Sequence, residues 1–469
     1  MRDRQRYFFC GIGGSGMLPL AMILQGQGAE VSGSDRSRDQ GRTPEKFRWL
    51  EAQGIALFPQ DGSGLTSPYQ TLVASAAVED TVPDVAAALR LGCNRVTRAE
   101  ALADLFNAAP SSIGVAGTSG KSTTTAMIAW ILDQASQKPT VMNGAVMKNF
   151  ANPDRPFASA LAGETGSPFV SEIDESDGSI ALFNPEVAVL NNVSVDHKSM
   201  EELRALFGNF LARSDIAVIN ADDPETRALG ARAAEQFDYG IEREGVFVSA
   251  RNLVPAPVSI SFELHWERNQ TAVKLSVPGR HNVSNALAAI CAAHAVGVGV
   301  VEAAKALETF SGIKRRFEIV GEAGGVTVID DFGHNPDKIA ATLSTLHDFQ
   351  GRVLVMFQPH GFGPLRKMRT EFAETFVRHL SSEDVLVMPE PVYFGGTVSR
   401  EVSSVDLAND IRKRGRQAEA FEDRVACGAR LLELARPGDR LIIMGARDDT
   451  LSEFAAEILE RLRGRESGE

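Results

Sequence analysis

The sequence of 469 residues has little cysteine, few tyrosines and tryptophans, and no long apolar run. Its four cysteines, Cys10, Cys93, Cys291 and Cys427, stand far apart without a CxxC pair, which argues against a disulfide framework and a thiolate metal site. No stretch approaches the roughly 18 apolar residues that a membrane helix needs. The apolar run near the N-terminus is too short for a signal peptide. We therefore expect a cytoplasmic protein without a membrane partner.

Positive charge is also in deficit, because 48 Lys and Arg residues stand against 61 Asp and Glu residues for a net charge of −13. This balance argues against a nucleic-acid partner, which would require a basic face. The negative net charge does not exclude small anionic ligands, because glycine loops and helix N-termini bind phosphates whatever the net charge. With 43% hydrophobic and 23% charged residues, the composition is that of a globular protein and excludes a disordered or fibrous chain.

Short apolar runs alternate with helical patterns along the chain, which is typical of parallel sheets with helices on both faces. Strand-like runs stand at 7–10, 29–33, 71–74, 113–116, 169–170, 187–190, 216–219, 326–329, 353–357, 385–388 and 441–444. We predict an α/β protein with three domains. These are a Rossmann-like domain at 1–110, a central P-loop ATPase-type domain with a mixed sheet at 111–315, and a second Rossmann-like domain at 316–469.

A glycine-rich loop follows the first predicted strand. Residues 11–16 read Gly-Ile-Gly-Gly-Ser-Gly, which fits G-x-G-x-x-G, and Asp35 follows the second strand, nineteen residues beyond Gly16. Glycines let the backbone approach a diphosphate, and such an acid can take a ribose hydroxyl. The motif predicts a nucleotide site but does not distinguish NAD from a UDP-sugar.

A second phosphate loop stands at 117–123. It departs from the strict G-x-x-x-x-G-K-[ST] pattern because Val115 occupies the place of the first glycine. Backbone N–H groups there are expected to cradle ATP, Lys121 to neutralise its phosphates, and Ser122 or Thr123 to bind Mg²⁺. The predicted ATP site comprises Gly117, Thr118, Ser119, Gly120, Lys121, Ser122 and Thr123.

Carboxylates follow the next predicted strand. The acidic loop, residues 172–177, carries four of them directly after 169–170, at the strand end where open α/β sheets bind ligands. A hard cation that bridges phosphate oxygens would take one of these carboxylates. His197 comes after the predicted strand 187–190, so we expect it beside the same metal.

Three later segments carry candidate side chains. Asn282 precedes an alanine-rich helix, which it could cap, or it reads the adenine edge. Arg316 lies in a basic cluster at the second predicted boundary, where a cation would reach a transferred phosphoryl group. The motifs at 330–336 and 357–360 end two strands of the third domain, the favoured face for chemistry.

The order of these motifs identifies a family. After the glycine-rich first domain come GTSGKST, EIDESD, an N-x-x-x-DH stretch, PGRHNVSNALAA, GIKRRFE and DDFGHNP. Together they resemble the Mur ligase family of peptidoglycan synthesis, and the resemblance covers nearly the whole chain. It implies an ATP-dependent, ADP-forming amide ligase with ATP and Mg²⁺ as cofactors. The enzyme would join an amino acid, by default L-alanine, to the carboxylate of UDP-N-acetylmuramate through an acyl phosphate.

The resemblance also implies roles for domains and residues. The first domain would hold the UDP-sugar, the central domain ATP and the third domain the amino acid, in a monomer or homodimer with only small-molecule substrates. Metal ligands would be Thr123, Glu172 and His197. Lys121, His197, Arg316, His334 and His360 would serve the reaction centre. Asn282, Arg316 and Asp331 would contact the nucleotide, and Gly13, Gly14, Ser15, Asp35 and Ser75 the UDP portion.

The third domain departs from the family's usual pattern. Asn335 stands where a second histidine is usual, and the stretches 361–366 and 444–449 also differ. Arg366 or Arg447 could supply a carboxylate clamp for the amine. The identity of the amine substrate is therefore undecided. A close variant of the L-alanine hypothesis is a recycling ligase that attaches a whole peptide to the same sugar. An NAD-dependent oxidoreductase and a non-catalytic nucleotide or UDP-sugar sensor are alternatives from other classes.

Overall fold

A computed structural model describes residues 5–76, 78–194, 198–391, 401–446, 448 and 450–466. The chain divides into two compact units. Unit 1 comprises residues 1–249, 265–269 and 284–307, and unit 2 comprises residues 250–264, 270–283 and 308–469.

The first part of unit 1 is a parallel sheet with helices between its strands. The strands are β1 (Arg6–Cys10), β2 (Glu30–Ser34), β3 (Ala56–Phe58), β4 (Gln70–Ala74) and β5 (Asn94–Thr97). The helices are α1 (Met17–Gly26), α2 (Arg36–Asp39), α3 (Pro44–Ala52), α4 (Pro83–Leu91) and α5 (Arg98–Asn107). The order β3-β2-β1-β4-β5 places β1 at the centre, so the loop that follows β1 lies at the carboxyl edge where such sheets bind nucleotides.

The second part of unit 1 is built on a larger sheet. Its strands are β6 (Ser112–Ala116), β7 (Thr140–Met142), β8 (Ala160–Leu161), β9 (Phe169–Glu172), β10 (Val187–Leu190), β11 (Ile216–Asn220) and β12 (Glu235–Ile241), in the order β12-β11-β10-β6-β9-β7-β8. Helices α6 (Lys121–Gln134), α7 (Met200–Ala212) and α8 (Pro224–Gly230) connect them. All five residues of β6 are buried, as a central parallel strand requires. The antiparallel β7–β8 pair makes this sheet mixed, as predicted.

The division between the units falls within three strands and a helix. These are β13 (Val248–Ala256), β14 (Ser259–Trp266), β15 (Asn269–Leu275) and α9 (Arg280–Ala295), and α10 (Val300–Leu307) follows in unit 1.

Unit 2 contains a second, mainly parallel sheet with helices between its strands. The strands are β16 (Glu318–Ala323), β17 (Val326–Asp331), β18 (Val353–Gln358), β19 (Val385–Pro389), β20 (Gln417–Phe421) and β21 (Arg440–Gly445). The helices are α11 (Pro336–His347), α12 (Phe362–His379), α13 (Ser404–Lys413), α14 (Arg424–Leu434) and α15 (Thr450–Glu466). The order is β16-β17-β21-β18-β19-β20, and β16 runs antiparallel to β17. The ends of β17, β21 and β18 are therefore adjacent.

Local sequence explains where several helices begin. Thr97 and Ser199 cap α5 and α7, and in each case a glutamate three residues later returns a hydrogen bond to the cap. At the end of α4, Gly92 adopts the left-handed conformation (φ 70°) that favours glycine. The alternating strands and helices of both units confirm the predicted α/β class.

One apolar core extends through both parts of unit 1. The Phe106 ring of α5 packs against Phe169 and Phe183, with ring centroids 5.6 and 5.4 Å apart. On α3, Trp49 packs against Phe157 at 5.2 Å and donates Nε1 to Asp154 O at 3.0 Å. Residues before and after the predicted boundary at 110 thus share an interior, and the boundaries at 110 and 315 stay predictions.

The four cysteines are unpaired, and Cys10, Cys291 and Cys427 are buried. Among the described residues, no helix combines the length and apolar character that crossing a bilayer requires.

Candidate active site

The phosphate loop, residues 117–123, joins the end of β6 to the start of α6. Gly117 has a φ of 127° and Gly120 a φ of 85°, which are conformations that residues with a side chain rarely adopt. A Cβ on Gly120 would also lie only 2.5 Å from Asn285 Oδ1. The loop therefore requires glycine at Gly120, and it leads directly into the first turn of a helix, the usual arrangement for binding phosphate.

Lys121, the first residue of α6, has only 13% of its side chain exposed. Its Nζ donates hydrogen bonds to Gly117 O at 2.6 Å and to Glu175 Oε2 at 2.9 Å. Burial by itself would lower the pKa of this ammonium, but the carboxylates of Glu175 and Glu172 raise that pKa above its ordinary value. Lys121 is therefore a fixed positive charge beside the phosphate loop.

Glu172, the last residue of β9, also reaches the phosphate loop. Its Oε2 accepts hydrogen bonds from Ser122 Oγ at 2.7 Å and from Gly144 N at 2.9 Å. The described contacts thus join Glu172 to Ser122, whereas the predicted metal set contains Thr123. Thr123 is buried on the next position of α6, and its place in a metal site stays a prediction.

The oxygen atoms around Ser122 fit a small, hard cation. The Ser122 hydroxyl and the Glu172 carboxylate are the donor types that Mg²⁺ prefers. Asn143, which is 1% exposed, donates Nδ2 to Ser122 O at 3.1 Å, and its Oδ1 accepts no hydrogen bond from the part of the chain that the structure describes. His197, predicted as a further ligand, lies outside the described residues. Within those residues, no three His, Cys, Asp or Glu side chains form a metal cluster.

Three asparagines that the sequence analysis left unassigned hold the phosphate loop. Asn192 Oδ1 accepts a hydrogen bond from Ser119 N at 2.8 Å. The Thr124 hydroxyl accepts one from Asn191 Nδ2 at 3.0 Å and donates one to Asn285 Oδ1 at 3.3 Å. The sequence could have indicated Asn191 and Asn192 as site residues, because they directly follow β10 at the carboxyl edge of the sheet. It could not have indicated Asn285, because the partner of Asn285 lies 161 residues away in the chain.

The carboxylate of Asp35 is hydrogen-bonded to the backbone of the glycine loop, residues 11–16. The Oδ2 atom of Asp35 accepts a hydrogen bond from Gly13 N at 2.8 Å, and its Oδ1 accepts one from Ser37 N at 2.7 Å, which caps α2. A Cβ on Gly13 would lie 2.9 Å from the Phe47 ring, so this position also requires glycine. Asp35 thus shapes the loop, and its predicted contact with ribose stays a prediction.

The other residues predicted to contact UDP lie near this loop or on the neighbouring strand. Gly14 and the exposed Ser15 belong to the loop itself. Ser75 is exposed directly after β4, which pairs with β1. The structure thus places these residues at one edge of the sheet, and their contacts with a UDP-sugar stay predictions.

In unit 2, the carboxylate of Asp331 organises the segment around the end of β17. Its Oδ1 accepts hydrogen bonds from Gly333 N at 2.8 Å and Thr342 Oγ1 at 3.1 Å, and its Oδ2 accepts one from Phe317 N at 2.8 Å. Asp331 is therefore a structural centre of this segment. Its predicted contact with ribose stays a prediction.

Two neighbouring arginines have different surroundings. Arg316 stacks on the Phe332 ring, with its guanidinium carbon 4.2 Å from the ring centroid, and its Nη1 donates to Arg315 O at 3.3 Å. Arg315, which the sequence analysis did not single out, is 8% exposed. Its guanidinium donates to Gly445 O at 2.7 Å and to Asp448 O at 3.0 Å. Arg315 therefore ties together distant segments, and the predicted phosphate contact of Arg316 stays a prediction.

His334 and His360 lie side by side after β17 and β18, with ring centroids 5.2 Å apart. The Nδ1 atom of His334 donates to Phe332 O at 2.9 Å, which leaves Nε2 as the acceptor nitrogen of the neutral ring. Burial, with a smaller contribution from the Lys338 charge, lowers the pKa of His334 from 6.5 to about 2. His334 is therefore neutral near pH 7, and its Nε2 can accept a hydrogen bond but is a weak base.

This shifted pKa predicts an acid-sensitive unfolding free energy. The unfolded chain binds a proton at His334 below pH 6.5 while the folded chain does not until about pH 2, so stability falls as pH drops below 6.5. Relative to a His334→Asn variant, the wild type should lose about 1.2 kcal/mol of unfolding free energy between pH 6 and pH 5. Urea denaturation at several pH values measures this difference, and parallel curves for the two proteins would contradict the assignment.

The remaining predicted residues lie on helices or outside the described chain. Asn282 does not cap α9, because that helix begins two residues earlier at Arg280, and its Nδ2 donates to Pro278 O at 2.7 Å. The capping alternative is therefore wrong, and the adenine contact stays a prediction. Arg366 is exposed on α12, and its role as a carboxylate clamp for the amine stays a prediction. Arg447 lies outside the described residues.

Comparison with protein families settles the relationship of the chain. Residues 6–109 match the model described as "Mur ligase family, catalytic domain", residues 115–293 match "Mur ligase middle domain", and residues 315–447 match "Mur ligase, glutamate ligase domain". The chain belongs to the Mur ligase family. The family resemblance drawn from its motifs and the predicted three-domain α/β fold are thereby confirmed.

Individual relatives span nearly all of this Mur ligase. The UDP-N-acetylmuramate–L-alanine ligase of Synechococcus sp. (strain JA-3-3Ab) is 36% identical over 472 residues, covering 97% of this chain and 88% of the relative. The enzyme of that name from Streptomyces coelicolor is 34% identical, and the match covers 97% of both chains. The crystal structure of the UDP-N-acetylmuramate-alanine ligase of Thermotoga maritima superposes with a TM-score of 0.78 at 26% identity, covering 98% of this chain and 99% of the other.

A murein peptide ligase from Psychrobacter arcticus has the same fold, with a TM-score of 0.70 at 22% identity over 98% of this chain and 99% of that one. This likeness concerns the fold alone. As a Mur ligase, the chain is an ATP-dependent ligase of peptidoglycan precursor synthesis. The oxidoreductase interpretation of the glycine loop is therefore wrong.

Proposed function

We propose that this Mur ligase joins L-alanine to the carboxylate of UDP-N-acetylmuramate while ATP is converted to ADP and phosphate. Two relatives that cover nearly the whole chain carry the name of this activity. The observation that carries the proposal is Lys121, whose side chain is 13% exposed and is held beside the glycines of the phosphate loop by Gly117 O and Glu175. We also place the reaction in the cytoplasm, with small-molecule substrates only and a monomeric or dimeric enzyme.

The reaction needs ATP because a carboxylate is a poor electrophile. Transfer of the γ-phosphoryl group to the carboxylate of the sugar makes an acyl phosphate, the amine attacks its carbonyl carbon, and inorganic phosphate leaves as the amide forms. Negative charge accumulates on ATP and the carboxylate together, so fixed cations lower the barrier. Lys121 supplies one such charge, and we assign Arg316 a second.

Mg²⁺ would be held by the Ser122 hydroxyl and the Glu172 carboxylate, with Thr123 and His197 as the further predicted ligands. When bound there, the metal would offset charge on the phosphate oxygens of ATP. The contacts of Ser122 support this assignment, because its Oγ lies 2.7 Å from a carboxylate oxygen. His334 and His360 stay proposed groups of the reaction centre, where the neutral His334 ring would accept a hydrogen bond.

ADP release by the purified protein with MgCl₂, ATP and UDP-N-acetylmuramate tests the proposal across L-alanine, other amino acids and short peptides. Mass spectrometry of the products identifies the amide that forms. Turnover with L-alanine and its absence with the other amines is the expected result. Turnover only with a peptide would replace the proposal with the recycling ligase, and binding of both ligands without ADP release would favour the sensor.

Replacing Glu172 with glutamine should raise the Mg²⁺ concentration required for half-maximal ADP release at least about tenfold. The reason is that the variant replaces an anionic oxygen with a neutral one at the proposed site. A magnesium titration of initial rates at saturating ATP measures the change. Glu164→Gln is the matched control, because the Glu164 side chain is 74% exposed and its carboxylate lies 4.0 Å from Lys138 Nζ. An unchanged requirement in Glu172→Gln would show that Glu172 is not a ligand.

A further inference from the structure

Two basic side chains lie against the glycine loop (residues 11–16), one at its middle and one at its end. Lys46, on α3, donates Nζ to Gly13 O at 3.3 Å. Arg98, the first residue of α5, lies against Gly16, where a Cβ would be 2.9 Å from Arg98 Cδ and 3.3 Å from its Nε. Two separate helices thus bring positive charge to a loop whose backbone is shaped for an anion.

Arg98 also faces the acidic loop (residues 172–177). Its Nη2 lies 3.8 Å from Asp177 Oδ2. The other carboxylate oxygen of Asp177 accepts a hydrogen bond from Ser179 N at 2.8 Å, which fixes the direction of that side chain. Because Glu175 of the same acidic loop holds Lys121, one short segment contacts a cation of each phosphate-binding loop in unit 1.

The Arg98–Asp177 pair is poorly suited to stabilise the fold. The two side chains are 27% and 49% exposed, and ion pairs that are this exposed and this long contribute little to stability. A guanidinium is well suited to another task, because its planar set of donors matches the oxygens of a phosphate group. Backbone N–H groups carry only partial charge, so a diphosphate at the glycine loop calls for a full positive charge as well.

We propose that Arg98 binds the diphosphate of the UDP-sugar and that Asp177 is a positioning residue that orients the Arg98 guanidinium. The proposal rests on the proposed function, since it takes a UDP-sugar as the ligand of the glycine loop. In this arrangement the second part of unit 1, through its acidic loop, also contributes to binding the sugar nucleotide. The acidic loop would thereby serve both substrates, through Glu175 toward ATP and through Asp177 toward the diphosphate.

Titration calorimetry with UDP tests both roles. Arg98→Ala should raise the Kd for UDP about 10- to 100-fold, the usual effect of losing a charge-assisted hydrogen bond. Asp177→Asn should raise it about threefold, and the double variant should bind no more weakly than Arg98→Ala alone, because Asp177 acts through Arg98. The KM for ATP should change less than twofold. The melting temperature should stay within about 2 °C of the wild type.

Arg95→Ala is the matched control. Arg95 lies on the neighbouring strand β5, is 34% exposed, and pairs with the exposed Asp80 at 2.5 Å, so its loss should leave the Kd for UDP unchanged. A wild-type Kd in Arg98→Ala would overturn the binding role of Arg98. Additive losses in the double variant would overturn the positioning role of Asp177. A wild-type protein that does not bind UDP would overturn the proposed function itself, so the failures are distinguishable.

Discussion

Replacing Lys121 with alanine should reduce the rate of ADP release about 10³-fold, the largest effect on activity that we expect from a single substitution. The Nζ of Lys121 is held 2.6 Å from Gly117 O and 2.9 Å from Glu175, at the start of the helix that follows the phosphate loop. Its loss removes the fixed charge that we propose offsets the β- and γ-phosphates of ATP. It also leaves the nearly buried Glu175 without its counter-charge, which would then repel the phosphates.

Initial rates at saturating substrates measure this effect. Lys138→Ala is the control, because Lys138 has 57% of its side chain exposed and its Nζ lies 4.0 Å from Glu164. Lys121→Arg should stay strongly impaired, since a guanidinium does not fit a position shaped for a compact ammonium. A Lys121→Ala enzyme that retains a tenth of wild-type turnover would remove the role that we assign.

Replacing Arg315 with alanine should have the largest effect on stability, about 3 kcal/mol. The Arg315 guanidinium bonds Gly445 O and Asp448 O, and its Nε lies 3.5 Å from Asp330 Oδ1, while the Asp330 side chain is only 1% exposed. Its removal takes the guanidinium donors from two carbonyls and leaves the buried Asp330 carboxylate with the Ser452 hydroxyl but without its counter-charge. Burial already raises the pKa of Asp330, and the Arg315 charge works against that rise, so the variant should raise it further.

Calorimetry should show this loss as a fall of roughly 6–12 °C in the transition of unit 2. Arg463→Ala, which removes an arginine with 52% of its side chain exposed on α15, should lower the same transition by less than about 2 °C. Arg315→Lys should recover only part of the loss, because an ammonium cannot reach three acceptors in different directions. A transition unchanged in Arg315→Ala would contradict the structural role.

Those parts of the site that depend on neighbouring residues could be predicted from the sequence. The apolar run of β6, the glycines of the phosphate loop and the start of α6 follow one another within the chain, and the structure has them in that form. The acidic loop could likewise be placed at the end of a strand. Local propensity and hydrophobic period determine both features.

Other parts of the site depend on the orientation of side chains, which the sequence alone does not determine. Four carboxylates stand within six residues, and the turn after β9 decides that Glu175 contacts Lys121 while Glu172 contacts Ser122. Arg315 and Arg316 are adjacent and chemically alike. Only the packing of segments 130 residues apart shows that Arg315 is the structural member of the pair.

The position of Phe106 has a consequence for how the chain can be taken apart. Its ring is fully buried against Phe169 and Phe183, so a polypeptide cut near residue 110 would expose apolar surface and should aggregate. A chimaera of two relatives, natural or engineered, should fold when residues 1–110 and the segment that contains Phe169 and Phe183 come from the same parent. The smallest exchangeable module at this end of the chain is therefore larger than the segment that we propose binds the sugar nucleotide.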